Sequence, residues 1–568
     1  MGIFNFDVMT VFGKVQSVDT SNISICVSSS ELLSKLQVNN LVSVKAPKAG
    51  QTLIGIVTKI MRKYGDEMDL AEGDDISSYD LVKVTLIGTL IDRDGTESNV
   101  FKRTLESVAE IDAECYIMSE TILTKFMSVI TKNSEDETYP LKIGSYAMSE
   151  SANAWLDGNK LFQRHAVITG STGSGKSYTV ATLVEQIAKL PSANAVVFDI
   201  HGEYKTIEGD NIAHYKIAGP SDELDEKTIF LPCWLLTYDE MLSMIIDRSD
   251  NNAPNQAMLF NRYVAECKQE FLMNIGKEAL AGTITVDSPI PFRMSELLNK
   301  LNEDDIRMVP GAKSGTTKQG EFYGKLTRFI QRLKSKTEDK RLNFLFSESD
   351  ELIRYEYLNE LCGKMLKPAC QGGGVKIIDY SEVPSDILPL IVSLVARLIF
   401  TVQQWTDRDK IFPIALFCDE AHLYLPQNVQ KSSEQSSVDN FERIAKEGRK
   451  YGVGLVVVTQ RPSEVSRTIL SQSGNFIAMR LTNSEDQSII KKLLPDNLGS
   501  FSELLPILDV GEALIVGDAS LLPSRIKISE PTNKPQSDTV KFWDEWSRED
   551  ANNTIDAAVE SLRKQSKA

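Results

Sequence analysis

The stretch Ile168–Thr179, ITGSTGSGKSYT, constrains the fold of this chain more than any other. The apolar run HAVI leads into it, and SYTVATLVEQIAKL, with apolar residues at helical spacing, leads out of it. Gly170, Gly175, Lys176 and Ser177 fit the spacing G-x-x-x-x-G-K-[ST]. A glycine-rich turn between a buried strand and a helix lets successive backbone N–H groups point at an anion, and the helix adds its positive N-terminal end. On that reading Gly170, Ser171, Thr172, Gly173, Ser174 and Gly175 cradle phosphates, with Tyr178 beside them. Lys176 reaches the β- and γ-phosphates and Ser177 holds Mg²⁺. The expected cofactors are ATP and Mg²⁺. The rival reading is a plain flexible turn.

The rest of the chain supplies the frame such a loop needs. Strand-like apolar runs are expected at 165–169, 195–200, 375–379, 413–418 and 454–459, with edge strands at 475–481 and 512–517. Helical patterns alternate with them, which predicts an α/β core with a mainly parallel sheet. Before the core, short β-rich runs such as NISICVS and LVKVTLIGTLI, separated by turn signals, predict a small β-barrel. Between about 235 and 350 the strand signal stops and amphipathic helix dominates, interrupted by a loop at PGAKSGTTKQG. The division expected is a barrel over 1–115, core over 116–234, helical insertion over 235–370, core again over 371–530, and a linker with helical tail over 531–568. Phe542, Trp543 and Trp546 in that tail are expected to dock on the chain itself or on a neighbour. Lys63–Ser78 reads as an acidic, solvated loop.

Three further segments carry chemistry. PIALFCDEAHLYL drives an apolar strand into Asp419 and Glu420, suited to the Mg²⁺ shell and to polarising the attacking water, the rival being a strand that simply ends at a charged surface. GVGLVVVTQRP ends a strand at Gln460, placed to sense the γ-phosphate or to position the water. VVFDIHGEY ends one at Asp199, which either tunes water and metal geometry or simply heads the turn His201–Glu203. Arg449 and Lys450 close the helical stretch VDNFERIAKEGRKYG, where they suit the helix dipole or serve as an arginine finger. Lys325, Arg328, Arg332 and Lys336 form a basic face opposite Phe322, Leu326, Phe329 and Leu333, read as solvated or as a contact for DNA or a partner.

Charge and cysteines narrow the classes. A net charge of −17 makes the chain a poor general nucleic-acid binder, so any DNA contact must use local basic loops. The seven cysteines include no C-x-x-C pair, which reads as reduced thiols without a zinc site. The apolar run Ile387–Phe400 contains Arg397 and reads as a buried helix rather than a span. The N-terminus lacks a basic leader, so a cytoplasmic protein without membrane attachment is expected.

Taken together, RHAVITGSTGSGKSYTVATLVEQ, VVFDIHGEY, VKIIDYSEVPSDI, LFCDEAHLYLP, IAKEGRKYGVGLVVVTQRPSEV and GEALIVGD resemble the HerA family of hexameric DNA translocases, related to FtsK-type motors. The resemblance implies a RecA-like P-loop core in a homo-hexameric ring with duplex DNA in its channel. It assigns Lys176 and Ser177 to Walker A, Asp419 and Glu420 to Walker B, Gln460 to the sensor, and Arg449 to the arginine supplied in trans. Arg164, before the P-loop strand, matches a second arginine at the nucleotide. Ile200 stands where the family often has proline, which loosens the expected turn after Asp199. The serine-rich QNVQKSSEQSS before the arginine helix reads as a long loop. Family members work with a separate nuclease or, in bacteria, with effectors such as sirtuin-like NAD-consuming proteins. DNA end processing or phage defence is therefore the expected setting. Two alternatives remain: a nucleotide-dependent scaffold that assembles a toxic effector without pumping DNA, and a secretion or conjugation motor.

Overall fold

A computed structural model describes residues 4, 6, 9–27, 29–64, 78–92, 99–135, 141–147, 149–247, 249–312, 315–493, 496–520, 522–537, 540–549 and 555–565. The acidic stretch within Lys63–Ser78 lies largely outside them.

In chain order the strands are β1 (Val11–Asp19), β2 (Asn22–Val27), β3 (Leu41–Lys45), β4 (Gln51–Tyr64), β5 (Ser78–Ile91), β6 (Val100–Lys102) and β7 (Glu114–Ile117). There follow β8 (Leu141–Tyr146), β9 (Ser149–Leu156), β10 (Ala166–Thr169), β11 (Ala195–Asp199), β12 (Ile212–Ile217) and β13 (Thr228–Ile229). The last are β14 (Met308–Pro310), β15 (Thr317–Gln319), β16 (Val375–Asp379), β17 (Ile414–Cys418), β18 (Val453–Thr459), β19 (Asn475–Ala478), β20 (Glu512–Gly517) and β21 (Ser524–Ile528). They belong to two compact units. One holds Met1–Gln186, Gln460–Ser463 and Ser473–Pro531; the other holds Ile187–Thr459, Glu464–Gln472 and Thr532–Ala568.

The first unit begins with the expected barrel. Its strands run in the order β2-β1-β7-β3-β4-β5, and β2 pairs back onto β5, so the sheet closes. Closure follows from the sequence pattern: alternate residues such as Phe12, Val15, Ile23, Ile25, Val42, Val44, Val82 and Val84 all point into one apolar core. Register shifts at Val15/Ser17 in β1 and Val57/Lys59 in β4 supply the bends that a small barrel needs. A second sheet in this unit runs β10-β19-β20-β21-β8-β9. Its first pair is parallel and the others antiparallel.

The second unit carries a sheet in the order β13-β12-β16-β11-β17-β18, parallel throughout. Every residue of β11, β17 and β18 is buried, as central strands with both faces covered require. The helix Leu388–Trp405 is long and apolar enough to cross a membrane by length and composition, yet most of it is buried inside the chain. Its Arg397 makes a two-pronged ion pair with Glu240, at 2.9 and 2.8 Å. Glu240 is buried and also caps the helix Tyr238–Ile245 through a capping box.

The insertion is helical, as read, with its core built from Phe260, Leu297, Leu301, Phe329 and Leu333. It differs in one respect: Met308–Pro310 and Thr317–Gln319 pair as an exposed two-stranded hairpin around the glycine-rich loop. Strands β6, β7, β8, β9, β12, β13 and β21 also fall outside the expected runs. The serine-rich stretch is shorter as a loop than expected, because Ser432–Ser437 already belong to the helix Ser432–Glu447. In the tail, Trp543 and Trp546 remain largely exposed, with Phe542 packed edge-on against Trp546.

Candidate nucleotide site

The P-loop is shaped from behind. Gly173 and Gly175 have φ of +72° and +109°, a region that side chains avoid. A Cβ on Gly175 would also meet Met479 Cε at 2.9 Å and Gly511 Cα at 3.4 Å. The loop hangs from β19 and the β20 approach by backbone bonds: Ser171 N–H to Arg480 O at 2.8 Å, and Gly511 N–H to Ser174 O at 3.0 Å. Ser174 is fully buried. Lys176 folds back so that Nζ donates to Ser171 O at 3.2 Å. Ser177 and Tyr178 lie in the first turn of the helix Lys176–Ala188. The N-terminus of that helix faces the loop, as an anion site requires. Thr172 is exposed, and its hydroxyl donates to Gln460 Oε1 at 2.6 Å.

The carboxylates form a group of their own in the second unit. β17 pairs with β11 and β18 in parallel register, so Asp419 and Glu420 leave the carboxyl end of a central strand. Both are buried. Burial, then repulsion from Glu420, Asp199 and Glu203, holds the Asp419 carboxyl well above the usual range. Asp199 is fully buried, and desolvation raises it to about 6 against the pull of three backbone N–H groups. Those groups belong to Gly202 (2.8 Å), Glu203 (2.9 Å) and Tyr204 (3.0 Å). Asp199 therefore heads the turn, and its carboxylate supplies the restraint that Ile200 lacks as a non-proline.

The donor chemistry suits a hard divalent cation. Crowded, desolvated carboxylates gain most from a nearby positive charge, and a seryl hydroxyl with one carboxylate plus phosphate oxygens is the usual Mg²⁺ set. Among the described residues no three His, Cys, Asp or Glu side chains make a ready metal cage.

Sequence comparison decides the family. The family model described as the central domain of helicase HerA matches residues 141–399, and the HerA-like C-terminal model matches 379–527, together more than half of the chain. The chain belongs to the HerA family. Similar curated proteins include a probable helicase of Methanocaldococcus jannaschii, 27% identical over 415 residues, covering 72% of this chain and 71% of the relative. The DNA double-strand break repair helicase HerA of Sulfolobus acidocaldarius is 27% identical over 401 residues, with 68% of each chain covered. Among solved structures, VirB4 of Thermoanaerobacter pseudethanolicus aligns at 16% identity with a TM-score of 0.45, over 70% of this chain and 98% of that one. As a HerA-family P-loop ATPase, the chain is an enzyme.

The two arginines of this HerA-family chain stand apart from the groups they are read to serve. Arg164 precedes β10, whereas the P-loop follows it. Four strand residues at about 3.3 Å each separate them by at least ~13 Å. Arg164 pairs instead with Asp518, at 3.1 Å. Arg449 sits in the short turn Gly448–Tyr451 ahead of β18. Asp419 and Glu420 follow β17, which runs parallel to β18 in register from Ile414↔Val453 to Cys418↔Val457. Arg449 and the carboxylates thus lie at opposite ends of the same strand pair, roughly 20 Å apart at ~3.3 Å per residue. Arg449 is exposed and has no carboxylate partner among the described residues.

The basic face is partly spent. Arg332 pairs with Asp247 at 3.1 Å and Asp250 at 3.3 Å, inside a polar cavity of about 640 Å³ also lined by Arg328 and Gln331. Lys325 and Arg328 stay exposed, and Leu326, Phe329 and Leu333 are buried as read. One feature escaped the sequence reading. His422, two residues past Glu420, approaches its carboxylate; the only sequence signal was its place in DEAH.

Proposed function

We propose that this HerA-family chain is the subunit of an ATP-driven motor that moves duplex DNA, in which each subunit completes its neighbour's catalytic site. The placement of Arg449 carries this reading. It is an exposed arginine at the far end of the strand pair from Glu420, so it can serve a γ-phosphate only in another copy. Arg164 stands in the same relation to its own P-loop. A closed ring is the simplest assembly that gives every copy such a neighbour, and a homo-hexamer follows the family.

The chemistry is in-line attack of water on the γ-phosphate. Glu420 orients and polarises the water. The P-loop amides and Lys176 hold the β- and γ-phosphates, and Gln460 reads the γ-phosphate. Arg449 from the neighbour offsets the charge that builds in the transition state, a contribution of about 10³–10⁵ in rate in related systems. Ser177 and Asp419 hold Mg²⁺, which neutralises phosphate charge when bound. Asp199 acts on this group through its turn, by placing His201 and Glu203.

In an acidic chain, duplex DNA is met by local cations such as Lys325 and Arg328. The output is delivered to a separate nuclease or a sirtuin-like NAD-consuming effector, in DNA end processing or phage defence, in the cytoplasm. ATP hydrolysis by the purified oligomer, with and without linear duplex, tests the motor reading. Strong stimulation is expected, reduced in Lys325→Glu/Arg328→Glu. Turnover indifferent to DNA overturns it in favour of a nucleotide-dependent scaffold.

A further inference from the structure

Glu420 is held in an unusual way. It has φ 43° and ψ 44°, the left-handed region, in a residue with no special tolerance for it. This twist turns the chain sharply out of β17 into the short helical turn Ala421–Leu423, where Leu423 N–H bonds back to Glu420 O at 2.9 Å. The turn brings His422 round so that its Nδ1 lies 3.2 Å from Glu420 Oε2. The Thr459 hydroxyl lies 3.4 Å from the same Nδ1. Thr459 is fully buried, Glu420 is 7% exposed, and the His422 side chain 15%. A side chain enclosed to this degree has few rotamers open to it, so the imidazole presents one face of one nitrogen to the carboxylate.

His422 Nδ1 thus stands at ion-pair distance from Glu420 Oε2, with the Thr459 hydroxyl within reach of the same nitrogen, and a hydrogen on Nδ1 makes the contact with the carboxylate attractive. Thr459 is the last residue of β18 and directly precedes Gln460 in the chain. The three side chains therefore connect the end of β17, where water is activated, to the strand whose next residue is the sensor.

We infer that His422, braced by Thr459, is a positioning residue that fixes the Glu420 carboxylate for hydrolysis. Without it the carboxylate loses the imidazole 3.2 Å from its Oε2, and the backbone at Glu420 no longer aims it with that contact behind it. Nucleotide binding does not depend on this contact, because the phosphates are gripped by the P-loop. The inference rests on Glu420 being the water-activating group.

The test uses the full-length oligomer and four variants. Glu420→Gln checks the underlying reading. His422→Ala removes the contact, and His422→Asn restores a donor close to the Nδ1 position. Thr459→Val removes the brace while keeping its shape. Steady-state ATPase is measured beside titration with a fluorescent ATP analogue. His422→Ala should lower kcat at least about tenfold with KM and analogue affinity within about threefold, the pattern of a group that acts only in the transition state. His422→Asn should recover most of the loss, and Thr459→Val should give an intermediate one. If Glu420→Gln is inactive while His422→Ala turns over normally, the positioning role is wrong. A parallel loss of analogue affinity in His422→Ala and His422→Asn would make the residue structural. If Glu420→Gln keeps full activity, the reading of Glu420 fails first.

Discussion

The hydroxyl of Thr172 donates a 2.6 Å hydrogen bond to Oε1 of Gln460, across 288 residues of sequence. One partner is the exposed crest of the P-loop and the other directly follows β18. The bond ties the P-loop to the residue proposed as the sensor. Gln460→Ala should lower kcat by roughly 10–100-fold and leave ATP affinity within about threefold. Thr172→Val should fall between this variant and wild type. Paired ATPase and nucleotide-titration measurements check both; a loss confined to affinity would make Gln460 a binding group.

Lys176 and Glu420 separate binding from chemistry. Lys176→Ala should weaken ATP binding and with it turnover, because its ammonium is the main point charge offered to the phosphates. Glu420→Gln should bind ATP as wild type does and hydrolyse it at least ~100-fold more slowly. Filter binding of labelled ATP beside single-turnover hydrolysis distinguishes the two patterns.

Gly175 tests whether the loop's shape is set by backbone or by packing. Its φ of +109° strains any side chain, and Met479 Cε stands 2.9 Å from the Cβ position. Gly175→Ala should reduce nucleotide affinity by about tenfold or more, as strain at such a φ is of order 1–3 kcal/mol. Adding Met479→Ala relieves the contact but not the φ, so it should restore little. Full recovery in the double variant would show that packing alone was at fault.

Lys376 gives the fold a pH dependence of its own. It is 1% exposed in β16, donating to Asn194 Oδ1 at 2.7 Å and Lys367 O at 2.6 Å. Burial lowers it to about 7. An unfolded lysine titrates near ~10.4, so between those values the unfolded chain holds the extra proton and stability rises with pH. The gain is at most about 1.4 kcal/mol per pH unit. Wild type should therefore gain stability relative to Lys376→Met between pH 7 and 9 in denaturant unfolding. A difference that does not change with pH would contradict the assignment.

The frame of the candidate site was legible where chemistry dictates residue type. Glycines, lysine and serine in the P-loop, and an acidic pair closing an apolar strand, have few other uses, and the strand ends fell within a residue or two of the expected ones for β11, β16, β17 and β18. Strands β8 and β9 were missed because LKIGSYAMSESANAWL mixes small and polar residues without clean alternation. β12 and β13 were missed because they are short and only partly covered, or only two residues long. Pairings that depend on distant segments left no mark in sequence. Arg332 seemed free until Asp247 and Asp250, some eighty residues earlier, closed on it. His422 acquired a role only when β17 and β18 set it beside Glu420 and Thr459.

The central claim is that neighbouring copies share a catalytic site, and mixing two inactive variants tests it most directly. Lys176→Ala subunits lack a working P-loop but keep Arg449; Arg449→Ala subunits have the reverse defect. Each alone should be inactive. Co-assembled oligomers should regain ATP hydrolysis, because an intact P-loop then meets an intact arginine from next door. Mixtures that assemble and stay as inactive as their parents would contradict the account.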